Sequence, residues 1–153
     1  MDYLPITIKI VSANILIVGG GKVATHKAQI LARFTTHATV VAPEITEELK
    51  ALPFHIKEKT FEAADLDDVQ LLFVCTGDHE LNHHIKELAA ERHILTSVCD
   101  DSAQCDFISP AIYRDDNLTI AVGSDSRDVK RSIRVIIGID IYVSLRQSLF
   151  VVL

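Results

Sequence analysis

The sequence predicts an α/β fold built on a doubly wound parallel sheet. Three observations support this prediction: short continuous apolar runs recur along the chain, segments with helical spacing separate them, and three glycines directly follow the first run. Continuous apolar strands that alternate with amphipathic helices are typical of a parallel sheet covered by helices on both faces. The connections in such a sheet are right-handed crossovers.

Four buried strands are predicted from apolar, largely β-branched runs at residues 14–18, 38–42, 71–75 and 94–98. Helices are predicted between them, because apolar residues recur at helical spacing after residue 22, in a short polar segment at 45–52, and from Leu81 onward. Asp78 stands where its carboxylate can cap the free amides of this last helix.

The pattern changes from Phe107 onward. Residues 107–113 and 118–122 predict two strands, and the turn-rich segment 114–117 between them predicts a β-hairpin. A basic helix is expected at 126–136. A second unit therefore begins near residue 113, with no flexible linker before it.

Composition and charge exclude several classes of protein. The chain has 153 residues and a net charge of −6, without a basic block, so a nucleic-acid partner is not expected. The three cysteines are odd in number and no signal peptide precedes them, which indicates a reduced, cytoplasmic protein.

The apolar tail at residues 135–153 is not expected to span a membrane. Asp140, Arg146 and Gln147 interrupt it, whereas a bilayer core requires about 20 nearly uncharged residues. Such an apolar segment is expected to be buried against another part of the chain, a second subunit or a segment absent from this sequence.

The glycines form a dinucleotide-binding motif in the required context, between the first strand and a helix. Gly19, Gly21 and Ala24 match G-x-G-x-x-A. Gly19 would form the tight turn, and Gly21 would let the backbone approach a pyrophosphate. The amides of Lys22 and Val23 would then point at phosphate oxygens from the positive end of the helix. A chance glycine cluster is the less favoured interpretation.

Two further segments at strand ends are candidate cofactor contacts. Pro43 and Glu44 follow the second strand, where a carboxylate usually holds the adenosine ribose; Glu44 would bind the ribose or only begin the next helix, and both interpretations stay open. No arginine follows that strand, which favours NAD over NADP. Thr76, Gly77 and Asp78 end the third strand at the same sheet edge, so Asp78 would contact the cofactor, cap a helix or do both.

The segment "SVCDDSAQCDF" places Asp100 and Asp101 between Cys99 and Cys105. Zinc is disfavoured because no histidine is close in sequence, and a redox pair is disfavoured because no neighbouring cation activates either thiol. Two interpretations stay open for Asp100: part of a solvated turn, or a general base at the sheet edge that holds the cofactor.

His79 and His83 are four residues apart and could share a helical face as metal ligands. No third ligand is evident, so surface histidines are the favoured interpretation, and no metal site is expected.

The sequence also resembles a known family. The segments "YLPITIKI", "ILIVGGGKVATHKAQIL", "ATVVAPEI", "LLFVCTGDHELN", "SVCDDSAQCDFISPA" and "LTIAVGSDSRDVKRSIR" occur in the order and spacing of precorrin-2 dehydrogenase, the dehydrogenase and chelatase part of siroheme synthase. The resemblance covers roughly residues 3 to 136.

This resemblance implies NAD-dependent oxidation of precorrin-2 to sirohydrochlorin, in some members followed by insertion of ferrous iron. It implies a Rossmann-like NAD-binding domain at residues 1–112 and a homodimerisation segment, hairpin plus helix, at 113–153. The family's NAD contacts fall on Lys22, Val23, Pro43 and Glu44, and its essential aspartate falls on Asp100.

The tetrapyrrole substrate carries many carboxylates, so its site is expected to be locally basic. The candidate substrate-binding residues are Ser124, Arg127, Lys130, Arg131 and Arg134. Two departures from the family pattern bear on this expectation. The loop 123–128 is shorter than in the family, and the family's C-terminal helical domain is expected to be truncated here. A non-catalytic NAD-sensing domain and a chelatase without dehydrogenase activity are the rival hypotheses.

Overall fold

A computed structural model of the chain describes residues 2–116, 118–125 and 127–150, with side chains up to residue 142. The chain divides into two compact units, Thr7–Phe107 and a second made of Met1–Ile6 with Ile108–Leu153. The boundary predicted between residues 112 and 113 lies later than this division, inside a strand of the second unit. The dimer-forming role of the segment after it stays a prediction.

The unit Thr7–Phe107 is built on a five-stranded parallel sheet. Its strands are β1 Ile15–Val18, β2 Thr39–Ala42, β3 His55–Glu58, β4 Leu71–Val74 and β5 Leu95–Val98. The order across the sheet is β3-β2-β1-β4-β5. The predicted doubly wound parallel sheet is thus confirmed, and β3 is an edge strand that the sequence did not predict.

Helices cover both faces of the sheet, as predicted. They are α1 Lys22–Leu31, α2 Glu47–Lys50 and α3 His79–Glu91, with short 3₁₀ helices at Ala63–Leu66 and Ser102–Gln104. Along β1, Ile15 and Ile17 pack in the cluster that contains Ala24 and Ala28 of α1. Leu16 and Val18 pack in the opposite cluster, which includes residues of α3 such as Ile85. Burying each such aliphatic side chain contributes about 1.5–3 kcal/mol, which explains why β1 is apolar throughout.

The second unit contains the predicted hairpin and helix. Strands β6 Ala111–Asp115 and β7 Leu118–Val122 pair antiparallel, and Asp116 between them has a φ of 46°, as primed hairpin turns require. Helix α4 spans Val129–Phe150, so it begins later and ends later than predicted. Asn117 of the predicted turn and Ser126 of the predicted helix lie outside the described residues.

Candidate functional site

The candidate site lies where the carboxyl ends of β1, β2, β4 and β5 meet at one edge of the sheet. Neighbouring β1 and β4 are separated in sequence by β2 and β3, so the direction of winding changes between them. Open parallel sheets bind ligands in the crevice at this switch point. The glycine loop follows β1 there, and Cys75 and Thr76 follow β4.

Gly19 forms a turn that only glycine accommodates. Its φ is 126°, and a Cβ would approach the carbonyl oxygen of Cys75 closer than 3.0 Å. The Gly19 N–H donates to the carbonyl of Val41 at 2.9 Å, so the loop is tied to β2 as well as to β4.

Gly20, to which the motif assigns no role, fixes the position of the loop after β2. A Cβ there would overlap the carbonyl oxygen of Glu44. The Thr46 N–H donates to the Gly20 carbonyl at 3.0 Å, and the hydroxyls of Thr25 and Thr46 hydrogen-bond at 2.7 Å. Pro43 and Glu44, both exposed, are therefore held beside the glycine loop.

The start of α1 leaves open space beside the first amides of the helix. Gly21 precedes the helix in an extended conformation, and the place where its Cβ would lie is open space. Lys22 and Val23 are exposed in the first turn. The first N–H groups of a helix lack acceptors within it and carry partial positive charge. The open space beside these donors fits the pyrophosphate of a dinucleotide.

Thr76, Gly77 and Asp78 connect β4 to α3 at the same edge. The Asp78 carboxylate accepts the N–H groups of Glu80 and Leu81 at 3.0 and 3.1 Å, so it caps the helix as predicted. The Thr76 hydroxyl accepts the Asp78 N–H and donates to the side-chain oxygen of Asn82. Gly77 is exposed, with open space where a Cβ would lie.

Asp100 lies in a polar cluster with Asn82 and His79 of α3. The Asn82 amide donates to both carboxylate oxygens, at 3.2 and 3.1 Å, and to the carbonyl of Thr76 at 3.2 Å. His79 Nδ1 lies 2.6 Å from Asp100 Oδ2. Asn82 is 1% exposed, whereas the side chains of Asp100 and His79 are 30% and 83% exposed. The buried Asn82 amide thus orients the carboxylate from the core side, and the opposite side of the carboxylate is exposed to solvent.

Asp101 points elsewhere and has a structural role. Its carboxylate accepts the side-chain amide of Gln104 at 2.8 Å and the Ala103 N–H at 3.0 Å, and it caps the short helix Ser102–Gln104. The Gln104 and Ala103 donors hold the pKa of Asp101 below its usual range. The two adjacent aspartates therefore have different partners: Asp101 caps a short helix, and Asp100 contacts Asn82 and His79.

Two of the three thiols lie side by side at this edge of the sheet. Cys75 and Cys99 follow neighbouring strands, and their sulfurs lie 2.8 Å apart. The hydrogen bond from Cys75, together with the charge of Lys27, lowers the pKa of Cys99, and the same bond with burial raises the pKa of Cys75. The expectation from the sequence concerned Cys99 and Cys105, whereas the pairing of β4 with β5 places Cys99 beside Cys75, a partner remote in sequence. Cys105 instead contacts the backbone of Val98 and Asp101.

The predicted substrate-binding residues lie in the second unit. Arg127 pairs with Asp2 at 3.3 Å, and the Ser124 hydroxyl accepts the Asp128 N–H at 3.2 Å. Lys130, Arg131 and Arg134 are exposed on the first turns of α4. They form a basic surface at the start of that helix.

His79 and His83, for which surface positions were the favoured interpretation, contact different carboxylates. His83 lies 3.7 Å from Glu87, whereas His79 lies against Asp100. Within residues 2–116, 118–125 and 127–150, no group of three or more His, Cys, Asp or Glu side chains could hold a metal ion. In that same part of the chain, no helix combines the length and apolarity needed to cross a bilayer.

A cavity of about 350 Å³ opens elsewhere, beside Asn14, Thr39 and His55 at the start of β1, β2 and β3. None of the residues that line it is a predicted site residue, and it lies at the amino ends of the strands. The chemistry at the carboxyl edge identifies the candidate site better than cavity size does.

Asn82, His79, Gly20 and Thr46 were not predicted as site residues. The sequence could have indicated Asn82, because it shares the apolar face of its helix with Ile85 and Ala89. A polar side chain on such a buried face needs a hydrogen-bond partner.

Comparison with known proteins gives a family, relatives and a fold. Residues 6–111 match the family model NAD_binding_7, described as "Putative NAD(P)-binding". A siroheme synthase of Photorhabdus laumondii is 38% identical over 128 residues, which are 81% of this chain and 27% of that protein. A siroheme synthase of Baumannia cicadellinicola is 34% identical over 131 residues, or 83% of this chain and 28% of that protein. The chain thus spans little more than a quarter of their length.

A solved structure named "SirC, precorrin-2 dehydrogenase" has the same fold. Its TM-score is 0.76 at 21% identity, and the match covers 93% of this chain and 71% of that one.

Proposed function

Because this chain belongs to the NAD_binding_7 family of NAD(P)-binding domains, we propose that it oxidises precorrin-2 to sirohydrochlorin with NAD, as the dehydrogenase part of a siroheme synthase. The observation that carries the proposal is the position of Asp100. The Asp100 carboxylate is oriented by Asn82, is partly exposed, and lies at the same sheet edge as a glycine loop suited to a dinucleotide. The names of the relatives and the sequence resemblance supply the substrate class.

The residues of the glycine loop and its neighbours would hold NAD. Amides of Gly21, Lys22 and Val23 at the start of α1 would bind the pyrophosphate. Glu44 would bind the ribose, and the absence of an arginine at 43–46 favours NAD over its 2′-phosphorylated form. Thr76, Gly77 and Asp78 would line the middle of the cofactor. When bound, NAD supplies the acceptor for the hydride that leaves the tetrapyrrole.

Asp100 would act as the general base of this oxidation. Loss of a hydride from the substrate must be accompanied by loss of a proton, and a carboxylate within reach accepts it. The Asn82 amide fixes the carboxylate plane, because it donates to both oxygens. His79 Nδ1, 2.6 Å from Oδ2 and largely exposed, would take the proton onward to solvent. Asp100 would thus accept the proton, Asn82 would orient Asp100, and His79 would pass the proton to solvent.

The second unit would contribute substrate binding and assembly. Lys130, Arg131 and Arg134, with Ser124 and Arg127, would hold substrate carboxylates. Exposed apolar side chains of α4 are Val129, Ile133, Val135, Ile137, Ile141 and Tyr142. Such a surface on one chain favours a homodimer, and we expect the protein to act as one in the cytoplasm.

The test is to incubate the reduced protein with precorrin-2 and NAD and to follow sirohydrochlorin and NADH absorbance together. Both should rise in equal amounts. NAD binding without turnover would instead support the non-catalytic sensing domain, and supplying sirohydrochlorin with ferrous iron but no NAD measures chelatase activity separately.

A further inference from the structure

Cys75 and Cys99 occupy equivalent positions after two neighbouring strands. Val74 of β4 is paired with Val98 of β5. The residue that follows each valine is a cysteine, so Cys75 and Cys99 lie side by side. The Cys99 N–H donates to the Val74 carbonyl at 2.9 Å, which keeps the two backbones in register beyond the paired residues. The sulfurs are 2.8 Å apart, within about 1 Å of the length of a disulfide bond.

We propose that Cys75 and Cys99 are a modification site, which a peroxide oxidises to a reversible disulfide that disables the neighbouring Asp100 site. Cys99 is half-buried at the open sheet edge, whereas Cys75 is 8% exposed. A small oxidant therefore reaches Cys99 first, and Cys75 is positioned to resolve the product. The effect on turnover rests on the proposed function; the disulfide itself does not.

The chemistry is a balanced two-step oxidation. The Cys99 thiolate attacks one oxygen of hydrogen peroxide, the O–O bond breaks, and Cys99 becomes a sulfenic acid as hydroxide leaves. The Cys75 sulfur then attacks the Cys99 sulfur, the S–O bond breaks, and the thiol proton of Cys75 leaves with the hydroxyl as water. Two thiols are oxidised and one peroxide is reduced. The lowered pKa of Cys99 makes it the more readily ionised of the two thiols, so it attacks the peroxide, and the raised pKa of Cys75 leaves that thiol to react second.

Closing the bond acts on the candidate site because each cysteine directly precedes one of its residues. Thr76 follows Cys75 and hydrogen-bonds Asn82, while Asp100 follows Cys99 and is oriented by the same Asn82. Drawing the two sulfurs together by about 0.8 Å shifts these two residues relative to the shared amide. Misplacement on this scale at a reacting group costs activity.

The test of the modification needs no activity. Reduced protein is treated with stoichiometric hydrogen peroxide, remaining thiols are alkylated, and unreduced peptides are mapped by mass spectrometry. We expect a Cys75–Cys99 linked peptide, an alkylated Cys105, and recovery of both thiols with dithiothreitol. Cys105→Ala should form the same link as the wild type, and Cys75→Ala should stop at an oxidised Cys99 that is linked to no other cysteine. A Cys99–Cys105 link, or oxidised Cys99 without any link in the wild type, would overturn the proposal.

The consequence for turnover is measured separately. Oxidation should lower precorrin-2 oxidation at least tenfold in the wild type and in Cys105→Ala, reversibly, and leave Cys75→Ala within twofold of its reduced rate. Full activity in crosslinked wild-type protein would overturn the regulatory claim. A reduced protein without any dehydrogenase activity contradicts the proposed function, and the peptide map still decides the disulfide.

Discussion

Asn82 donates its side-chain amide to both carboxylate oxygens of Asp100, at 3.2 and 3.1 Å, from a position in α3 that lies eighteen residues earlier along the chain. The same amide donates to the Thr76 carbonyl, and the amide oxygen accepts the Thr76 hydroxyl. One buried side chain therefore links the ends of β4 and β5 with the first turn of α3. The predictions below test what this arrangement and its surroundings do.

Asp100→Asn should lower the rate of precorrin-2 oxidation about 100-fold or more, since removing a general base typically costs that much. NAD affinity, measured by fluorescence titration, should change less than twofold because the glycine loop is untouched. Asp101→Asn is the matched control: its carboxylate caps a 3₁₀ helix and should be dispensable for turnover. Equal losses in the two variants would contradict the different roles given to the two aspartates.

Asn82→Ala should lower kcat about tenfold with little change in KM, because the carboxylate of Asp100 loses its orienting donor. Combining it with Asp100→Asn separates positioning from simple destabilisation. In that double variant the Asn82 change should have no further effect on kcat, since there is no base left to orient. Additive losses would show that Asn82 affects kcat independently of Asp100.

Gly20→Ala should lower stability and Gly21→Ala should weaken NAD binding, although the two glycines are adjacent. A Cβ at Gly20 overlaps the Glu44 carbonyl, so this change should cost about 1–3 kcal/mol of unfolding free energy. A Cβ at Gly21 meets open space, so stability should stay within about 0.5 kcal/mol. NAD binding by Gly21→Ala should nevertheless weaken about tenfold, because the methyl group occupies the space left for the pyrophosphate. Urea unfolding and NAD titration of both variants check this.

Asp65→Asn should destabilise the protein at neutral pH and much less in acid. Burial alone would raise the pKa of Asp65, but Lys59, the Glu62 N–H and Lys57 outweigh it and hold that pKa below its usual range. A lowered folded pKa contributes stability above the unfolded value near 4, and that contribution is lost as pH falls through the folded pKa. The expected loss is about 1 kcal/mol at pH 7, since both lysines are more than one-third exposed.

Urea unfolding at pH 7 and at successively lower pH measures that difference. Asp67→Asn, exposed on the same loop, is the control and should stay close to wild type throughout. A constant difference between wild type and Asp65→Asn across this range would mean that the ion pairs do not contribute to stability.

The purified chain should sediment as a dimer, and Ile137→Asp with Ile141→Asp should make it monomeric. The two side chains are 52% and 55% exposed in the single chain and one helical turn apart, so paired charges there oppose an apolar interface. His84→Asp on the exposed surface of α3 introduces a charge elsewhere and should leave the dimer intact. A monomeric wild type at micromolar concentration would contradict the proposed assembly.

The sequence predicted the sheet well where strands are buried on both faces. Leu71–Val74 is apolar and buried at every position, and so short an apolar run is typical of a strand in a parallel sheet covered on both faces. His55–Glu58 escaped prediction for the opposite reason: it is an edge strand whose residues are exposed or half-buried, so no apolar pattern marks it.

Site residues that directly follow a strand could be predicted from the sequence. Contacts between residues of two different elements could not. Gly19 and Asp100 were expected at the sheet edge from their place after β1 and β5. The pairing of Cys75 with Cys99 depends on β4 and β5 being neighbours in register, which local sequence does not encode. Asn82 and His79 likewise reach Asp100 only because α3 packs beside that edge.

The close approach of Gly20 to Glu44 limits how cofactor preference can be engineered. The loop that would select between NAD and its phosphorylated form is fixed to the glycine loop through the hydrogen bond from the Thr46 N–H to the Gly20 carbonyl. Insertions or backbone remodelling at 43–46 would displace the turn that we propose to bind the pyrophosphate. A designer seeking NADP use should therefore keep the loop length and exchange side chains alone, beginning with Glu44→Arg.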